Sequence, residues 1–332
     1  MNDESDSNTN LSVAKQRKIG WLTDVGKVRE TDEDSVTVSS FGGEFGRIHL
    51  LAVADGMGGH AKGEVASKIA LSRIWIDSFS KIAVSELFGD TMLMDILEHA
   101  IKKANEDILE YTTKNPETSG MGTTSVCAIV NGNTVNLANV GDSRAYVVGP
   151  NEIRQETKDH SLVQELVDKG DITKAEADNH PNKNVITRAV GLSPSLEVDT
   201  KTVQLKDDES LLLCCDGVNA ELSDDDIKKI VQETPDPQDA CKKIVDMAND
   251  RGGSDNISLI ILSKPLGLEE SDTDKLRQEL AAATHKIAEL VETLNSLQVK
   301  HVEYEQELNT IKQEVQNKIP EEPEFFRDKK TT

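Results

Sequence analysis

Apolar and polar positions divide this chain into stretches of different period. An apolar run over 48–54 predicts a buried strand, which ends on Asp55 and runs into Gly56, Gly58 and Gly59. Beyond that turn, Val65, Ala66, Ile69, Ala70, Ile74 and Phe79 recur at helical spacing and predict a helix over 63–79. Leu93, Leu97, Ala100, Ile101, Ala104 and Ile108 form the apolar stripe of a second helix over 91–113. Both helices keep an opposite polar face, so each is expected to cover a sheet. Upstream, short strands are expected over 20–25 and 35–39, with the charged loop 26–34 between them.

From residue 123 the period drops to two. Strands are expected over 123–130 and 134–140, joined by the hairpin turn Asn131-Gly132-Asn133, then over 144–148 and 152–157. This is an antiparallel meander, not an alternating βαβ series, and with the helices it indicates an α+β fold. Residues 158–195 are rich in Asp, Asn, His and Pro and read as loop and short helix, a surface flap. Strands are expected again over 196–205, 210–216 and 256–263. A helix starts at Ser223, with Asp226 three residues on as in a capping box, and another spans 237–251.

Past a short acidic linker the pattern changes to a strict heptad. Leu276, Ala283, Leu290, Leu297, Tyr304 and Ile311 recur every seven residues, and Leu280, Ile287, Leu294, His301, Leu308 and Val315 do the same. That register predicts a coiled coil over 275–317, with His301 at a core position able to fix register or make association pH-sensitive. The alternative is one amphipathic helix packed on its own domain, for which a two-in-seven stripe is narrow. The expected organisation is a tail over 1–16, a globular domain over 17–264, a linker over 265–274, the coiled coil, and a tail over 318–332 that carries Phe325-Phe326 as a short docking motif or a loose end.

Charge narrows the choice of partners. A net charge of −23 is the opposite of a nucleic-acid footprint and would be repelled by anionic membranes, whereas it favours cation binding. No apolar run approaches the roughly 20 residues that a membrane span needs, and residues 1–10 lack the apolar core of a signal peptide. Cys127, Cys214, Cys215 and Cys241 show neither metal-type nor disulfide spacing and read as reduced and buried, which points to the cytoplasm.

The candidate chemistry is acidic. Glu33-Asp34, Asp55-Gly56, Gly141-Asp142, Asp216-Gly217 and Asp255-Asn256 each place carboxylates at a strand end or in a turn. A lone Asp-Gly is an ordinary turn. Several that converge at one edge of a sheet sandwich repel one another unless cations lie between them. Oxygen-only ligands suit magnesium or manganese. Two such ions about 3.5–4 Å apart can acidify a water for attack on phosphorus. Arg29 is placed to clamp a phosphate or to pair with Glu30 or Glu33. A rival reading is a dinucleotide fingerprint at Gly56-x-Gly58-x-x-Ala61. It requires a parallel sheet and would set Asp55 against the pyrophosphate.

The segments Thr23-Asp24-Val25-Gly26, Arg29-Glu30-Thr31-Asp32-Glu33-Asp34, Val53-Ala54-Asp55-Gly56-Met57-Gly58-Gly59-His60, Gly120-Met121-Gly122-Thr123-Thr124 and Val140-Gly141-Asp142-Ser143-Arg144 follow one another in a telling order. So do Asp159-His160-Ser161, Ile186-Thr187-Arg188, Cys215-Asp216-Gly217 and Gly253-Ser254-Asp255-Asn256. Together they resemble the type 2C family of metal-dependent serine/threonine protein phosphatases, in its bacterial form, over about 17–264. The resemblance implies two antiparallel β-sheets sandwiched between helix layers (αββα). It also implies hydrolysis of phosphoserine or phosphothreonine by a hydroxide activated by two Mn2+ or Mg2+ ions, with a third, weaker ion.

By the same resemblance Asp55 bridges both metals, Asp216 and Asp255 complete one, and Glu33 with the carbonyl of Gly56 serves the other. Asp142 with Asp216 would hold the third ion, Asp34 would orient water, Arg29 would bind phosphate, and the segment 161–191 would be a flap. There are departures. Asp32 stands where the family has Asn, Cys215 replaces Ser, and Met57 replaces the histidine of eukaryotic members. His60 does not inherit that role, which leaves proton donation to a metal-bound water. The expected partners are a phosphorylated protein, opposite a serine/threonine kinase, and a second copy or another chain along 275–317, with no nucleic acid and no membrane insertion. The alternative is a catalytically weak scaffold, whose mark would be lost ligands; none is lost.

Overall fold

The computed structural model describes residues 17–43, 46–58, 62–88, 93–265, 285–287 and 310. The chain divides into two units, Met1–Gly267 and Leu268–Thr332, each taken by itself. In the second unit only His285, Lys286, Ile287 and Thr310 are described, and all four are helical. The heptads over 275–317 and the Phe325-Phe326 motif otherwise lie outside the described residues.

The first unit opens with strands β1 (Ile19–Asp24), β2 (Ser35–Gly43), β3 (Gly46–Ala54) and the two-residue β4 (Gly56–Met57). Helices α1 (Gly63–Phe88) and α2 (Leu93–Lys114) follow. The meander is β5 (Gly122–Thr123), β6 (Ser125–Asn131), β7 (Thr134–Val140), β8 (Arg144–Val148) and β9 (Ile153–Gln155). The flap holds α3 (Leu162–Lys169) and α4 (Lys174–Asp178). Then come β10 (Asp199–Gln204), β11 (Ser210–Cys214), α5 (Asp216–Glu221), α6 (Asp224–Glu233), α7 (Pro237–Arg251) and β12 (Ile257–Leu262).

Two five-stranded sheets result, ordered β1-β12-β11-β8-β9 and β10-β7-β6-β3-β2, and every pairing in them is antiparallel. That excludes the parallel sheet a dinucleotide fingerprint requires. The period of two decides the layers. In β3, Leu51 and Val53 join Val126, Ala145, Val147, Leu211 and Ile260 between the sheets. Leu50, Ala52 and Ala54 point the other way, into a core with Ile74 of α1 and Leu97 and Ile101 of α2. A third core sets Leu212, Leu259 and Ile261 against Ile227 of α6 and Ile244 of α7. The architecture is therefore αββα, as expected. Among the described residues no helix is long and apolar enough to cross a membrane.

Differences from the expected elements have local causes. α1 continues past Phe79 to Phe88 because no Gly or Pro interrupts it before Gly89. The strand expected over 123–130 breaks at Thr124, whose N–H bonds back to Asp55 O instead of continuing a ladder. The apolar run 210–216 ends as a strand at Cys214, and Asp216 already opens α5. The strand expected over 196–205 starts only at Asp199, because Leu196 and Val198 pack into the α1–α2 core. Ser223 and Asp226 form the full capping box at the start of α6.

Candidate active site

Backbone and amide hydrogen bonds fasten the acidic turns together at one end of the sandwich. Asp55 N–H donates to Thr124 Oγ1 (2.9 Å), while Thr124 N–H and Thr123 Oγ1 both donate to Asp55 O (2.8 Å each). Thr124 Oγ1 also bonds Ser143 Oγ (2.7 Å), which brings the Gly141-Asp142-Ser143 turn alongside. On the opposite side Asn256 acts as a staple. Its Oδ1 accepts from Glu33 N–H (2.9 Å), and its Nδ2 donates to Val25 O and Thr31 O (3.0 Å each).

Two glycines make the approach possible. A Cβ on Gly56 would come within 2.2 Å of Gly63 O and 2.4 Å of Glu33 O, and one on Gly217 within 2.0 Å of Asn256 O. Any side chain at either position would push the acidic turns apart.

The outcome is a cleft of about 500 Å3 lined by Arg29, Glu33, Asp55, Gly56, Asp142, Asp216 and Asp255. All the residues expected to hold metal therefore meet in one place. Asp34 is buried behind them. Thr31, Met57, Thr124 and Asn256, with Asn184 and Ile186 from the flap, complete the lining. Arg29 Nη2 bonds Asp255 Oδ2 at 2.6 Å, so its partner is neither Glu30 nor Glu33 but a carboxylate distant in sequence. Asp32 does not line the cleft; its carboxylate accepts from Thr23 Oγ1 (2.6 Å) and Asp34 N–H (3.1 Å) and shapes the loop. His60 lies outside the described residues.

The electrostatics of the cluster are adverse by construction. Burial, and then the fields of Asp34, Asp216 and Asp142, hold the Asp55 carboxyl well above the usual range. Of the two, the proximity of Asp55 and Asp216 favours the proton on Asp55. Asp216 is raised by burial and then by Asp255. Asp142 is pushed up to about 7 by burial, with Asp216 and Asp159 adding to it. Asp34 is pushed up to about 7 by burial, with help from Asp32 and Asp216. Glu33 is raised by burial, against the Gly63 N–H and Arg29, which favour its charged form. Burial alone would lower Arg29, but the Asp255 bond and the charges of Asp255, Asp55 and Glu33 keep it firmly protonated.

The unused lone pairs test whether divalent cations fit this set. Both oxygens of Asp34 and Oδ1 of Asp216 are buried with no hydrogen-bond partner. Ser258 and Cys215 lie beside Asp34, but Ser258 Oγ donates to Thr23 Oγ1 and Cys215 Sγ donates to Asn256 O. Unpaired buried carboxylate oxygens call for a cation or an ordered water. Among the described residues no His or Cys lines the cleft, so the donors there are oxygen and suit hard ions. Among the described residues no three such side chains close into a ready-made metal cage. Carboxylates on separate turns with space between them match ions that retain several waters.

Thr124 and Asn256 are the residues that reading by charge misses. Each is neutral, and each stands directly beside an acidic motif or within a motif of the resemblance. Asn184 and Ile186 come from the segment expected to be a flap, though neither was singled out as a lining residue.

An αββα sandwich that gathers an oxygen-only acidic cleft at one end defines a metal-dependent phosphatase. Comparison with known proteins agrees and is specific: residues 25–166 and 178–257 match the family Protein phosphatase 2C, and the chain belongs to that family. It is a serine/threonine protein phosphatase. It is 36% identical over 252 residues to the serine/threonine phosphatase stp of Listeria monocytogenes, covering 74% of this chain and 95% of that protein. The crystal structure of the Mycobacterium tuberculosis serine/threonine phosphatase PstP/Ppp shares the fold at a TM-score of 0.66 and 33% identity, over 75% of this chain and 99% of that one. The catalytic domain of PstP in complex with two manganese ions gives a TM-score of 0.62 at 32% identity, over 74% of this chain and 97% of that one.

The raised pKa values carry a stability signature. A carboxyl at about 7 when folded and near 3.8 when unfolded favours the fold below pH 4, and that contribution is lost as pH rises through 7. For Asp34 a shift of that size corresponds to roughly 4 kcal/mol. In chelator, Asp34→Asn should therefore match the wild type at about pH 4 and exceed it by up to roughly 4 kcal/mol at pH 8. Urea unfolding across that range measures the gap; a gap independent of pH would contradict the assignment.

Proposed function

We propose that Glu33, Asp55, Asp216, Asp255 and the carbonyl of Gly56 hold two divalent ions, with Asp55 between them, and that Asp142 with Asp216 holds a third, weaker one. When bound, such ions supply an acidified water and positive charge for the phosphoryl group. Manganese in the related PstP catalytic domain supports this reading. The observation that carries it is the set of unpartnered buried oxygens on Asp34 and Asp216 among carboxylates that must otherwise share protons.

The protein's own residues then divide the work. Arg29 leaves Asp255 to bind the phosphoryl oxygens, and its planar fork matches two of them at once. Asp34, buried behind the cleft, orients the attacking water by a hydrogen bond. Asp55, Asp216 and Asp255 are fixed by their turns before any substrate arrives, so no binding energy is used to assemble them. Asn184 and Ile186 set the flap against the phosphoprotein's flanking residues. Water attacks phosphorus directly, the bond from phosphorus to the serine or threonine oxygen breaks, and a water of the cleft gives that oxygen its proton, so no phosphoenzyme forms. The buried, unbridged thiols of Cys127, Cys214, Cys215 and Cys241 support action in the cytoplasm, in signalling opposite a serine/threonine kinase.

Association through the coiled coil over 275–317 belongs to the same proposal. Its support is the heptad register and the exposure of Ile287, a seam residue, at 61%.

Hydrolysis of an aryl phosphate with and without manganese tests the site. Asp55→Ala and Asp216→Ala should each lower manganese-dependent turnover by more than about 10²-fold. Arg29→Ala should lower kcat/KM by about 10- to 100-fold, mostly through KM, as expected for a hydrogen bond to a charged group worth roughly 1.5–3 kcal/mol. Near wild-type activity in either aspartate variant would sink the assignment. Light scattering tests assembly: the full chain should form a dimer or larger species that deletion of 271–332 converts to a monomer, and a monomeric full chain would refute it.

A further inference from the structure

The side of the sandwich formed by β1, β2 and α1 carries a second groove, of about 680 Å3, that shares no residue with the catalytic cleft. Trp21, Thr37, Ser39, Lys68, Trp75 and Ile76 are among its lining residues. The chain has two tryptophans, and both are here, 48% and 39% exposed, beside Ile76 at 47%. Trp75 stacks on Phe79, with ring centroids 5.4 Å apart, and its indole N–H donates to Ser39 Oγ (2.7 Å), so the aromatic wall is held in place. In a protein this poor in aromatic residues, such an exposed apolar patch marks a contact surface.

The floor of the groove is a strand edge. β2 is the outermost strand of its sheet, nine residues long, and it contains no charge and no proline. Charge and proline are two of the devices that blunt natural edges of that length. β1 is also an edge, but there Gln238 accepts from Trp21 N–H (3.1 Å) and donates to Trp21 O (2.9 Å). Among the described residues no hydrogen bond reaches the outer backbone of β2 between Val36 and Gly42. The polar groups there are available to another strand.

Charge selects the occupant. Among the described residues no Asp or Glu lines this groove, and the one charged lining residue is Lys68, 62% exposed, whose partner Glu64 lies outside. We propose that the groove docks an extended segment of a partner protein, added to β2 as a further strand. Its apolar side chains fill the space between Trp21 and Trp75, and a carboxylate meets Lys68. Main-chain hydrogen bonds give such a strand its affinity, and alternate side chains its selectivity. A phosphatase equipped in this way holds a partner away from the catalytic cleft.

The test uses the full chain, panned with phage-displayed random peptides of roughly ten residues, about the length of one strand. The most enriched peptide is then synthesised and titrated while tryptophan emission is followed, since both tryptophans report on this groove alone. The enriched peptides should alternate apolar and polar residues and carry an Asp or Glu. Binding should shift the emission to shorter wavelength. Ile76→Glu and Lys68→Glu should each weaken binding about tenfold or more while aryl-phosphate hydrolysis is unchanged. Enriched peptides without alternation, binding that leaves the emission unaltered, or affinity that survives both variants would overturn the proposal. So would a dimer of the full chain that Ile76→Glu dissociates, which would give the groove to a second copy.

Discussion

The cost of crowding carboxylates away from water governs the acidic end of this molecule. Burial raises the proton affinity of Asp34, Asp55, Asp142 and Asp216, and the fields of Asp34, Asp142 and Asp216 add to it at Asp55. A flexible chain would relieve that strain by letting the turns drift apart. Here three apolar layers, one between the sheets and one under each pair of helices, fix the strands from which the turns emerge. The stability of those cores is what allows an arrangement that is unfavourable until cations enter it.

The turns are held by neutral groups. Thr124 grips Asp55 and reaches Ser143, and Asn256 binds three backbone groups of the loop that carries Arg29, Glu33 and Asp34. Charged staples would have added to the repulsion or competed for the metal. Hydroxyl and amide groups position the carboxylates without changing the net charge of the cleft. The flap contributes Asn184 and Ile186 to the lining, whereas the carboxylates stand at strand ends and in the turns beside them.

How much of this could be read from the order of residues depends on how local each feature is. Asp55 was legible because an apolar run ends on it and glycines follow. Glu33, Asp142, Asp216 and Asp255 stood at comparable boundaries. The layer order followed from a period of two beside two helical stripes. What was hidden is non-local. Six-residue α5 was masked by the apolar run before Asp216. The pairing of Arg29 with Asp255 spans 226 residues, so the nearer Glu30 and Glu33 were the natural guess. Asp32, which stands where the family has Asn, forms the loop through its bonds to Thr23 and to Asp34 N–H, contacts that its place in the sequence does not show. The bare edge of β2 was also hidden, because strand order within a sheet is a property of the whole fold.

The central claim is that the carboxylate cluster exists to hold divalent cations. Equilibrium binding of manganese to the metal-free full chain, with free ion counted by its electron paramagnetic resonance signal, addresses it most directly. Two tightly held ions per chain are expected, with loss of both tight sites in Asp55→Asn, whose side chain keeps its shape but cannot bridge. Equal stoichiometry and affinity in the variant and the wild type would contradict it.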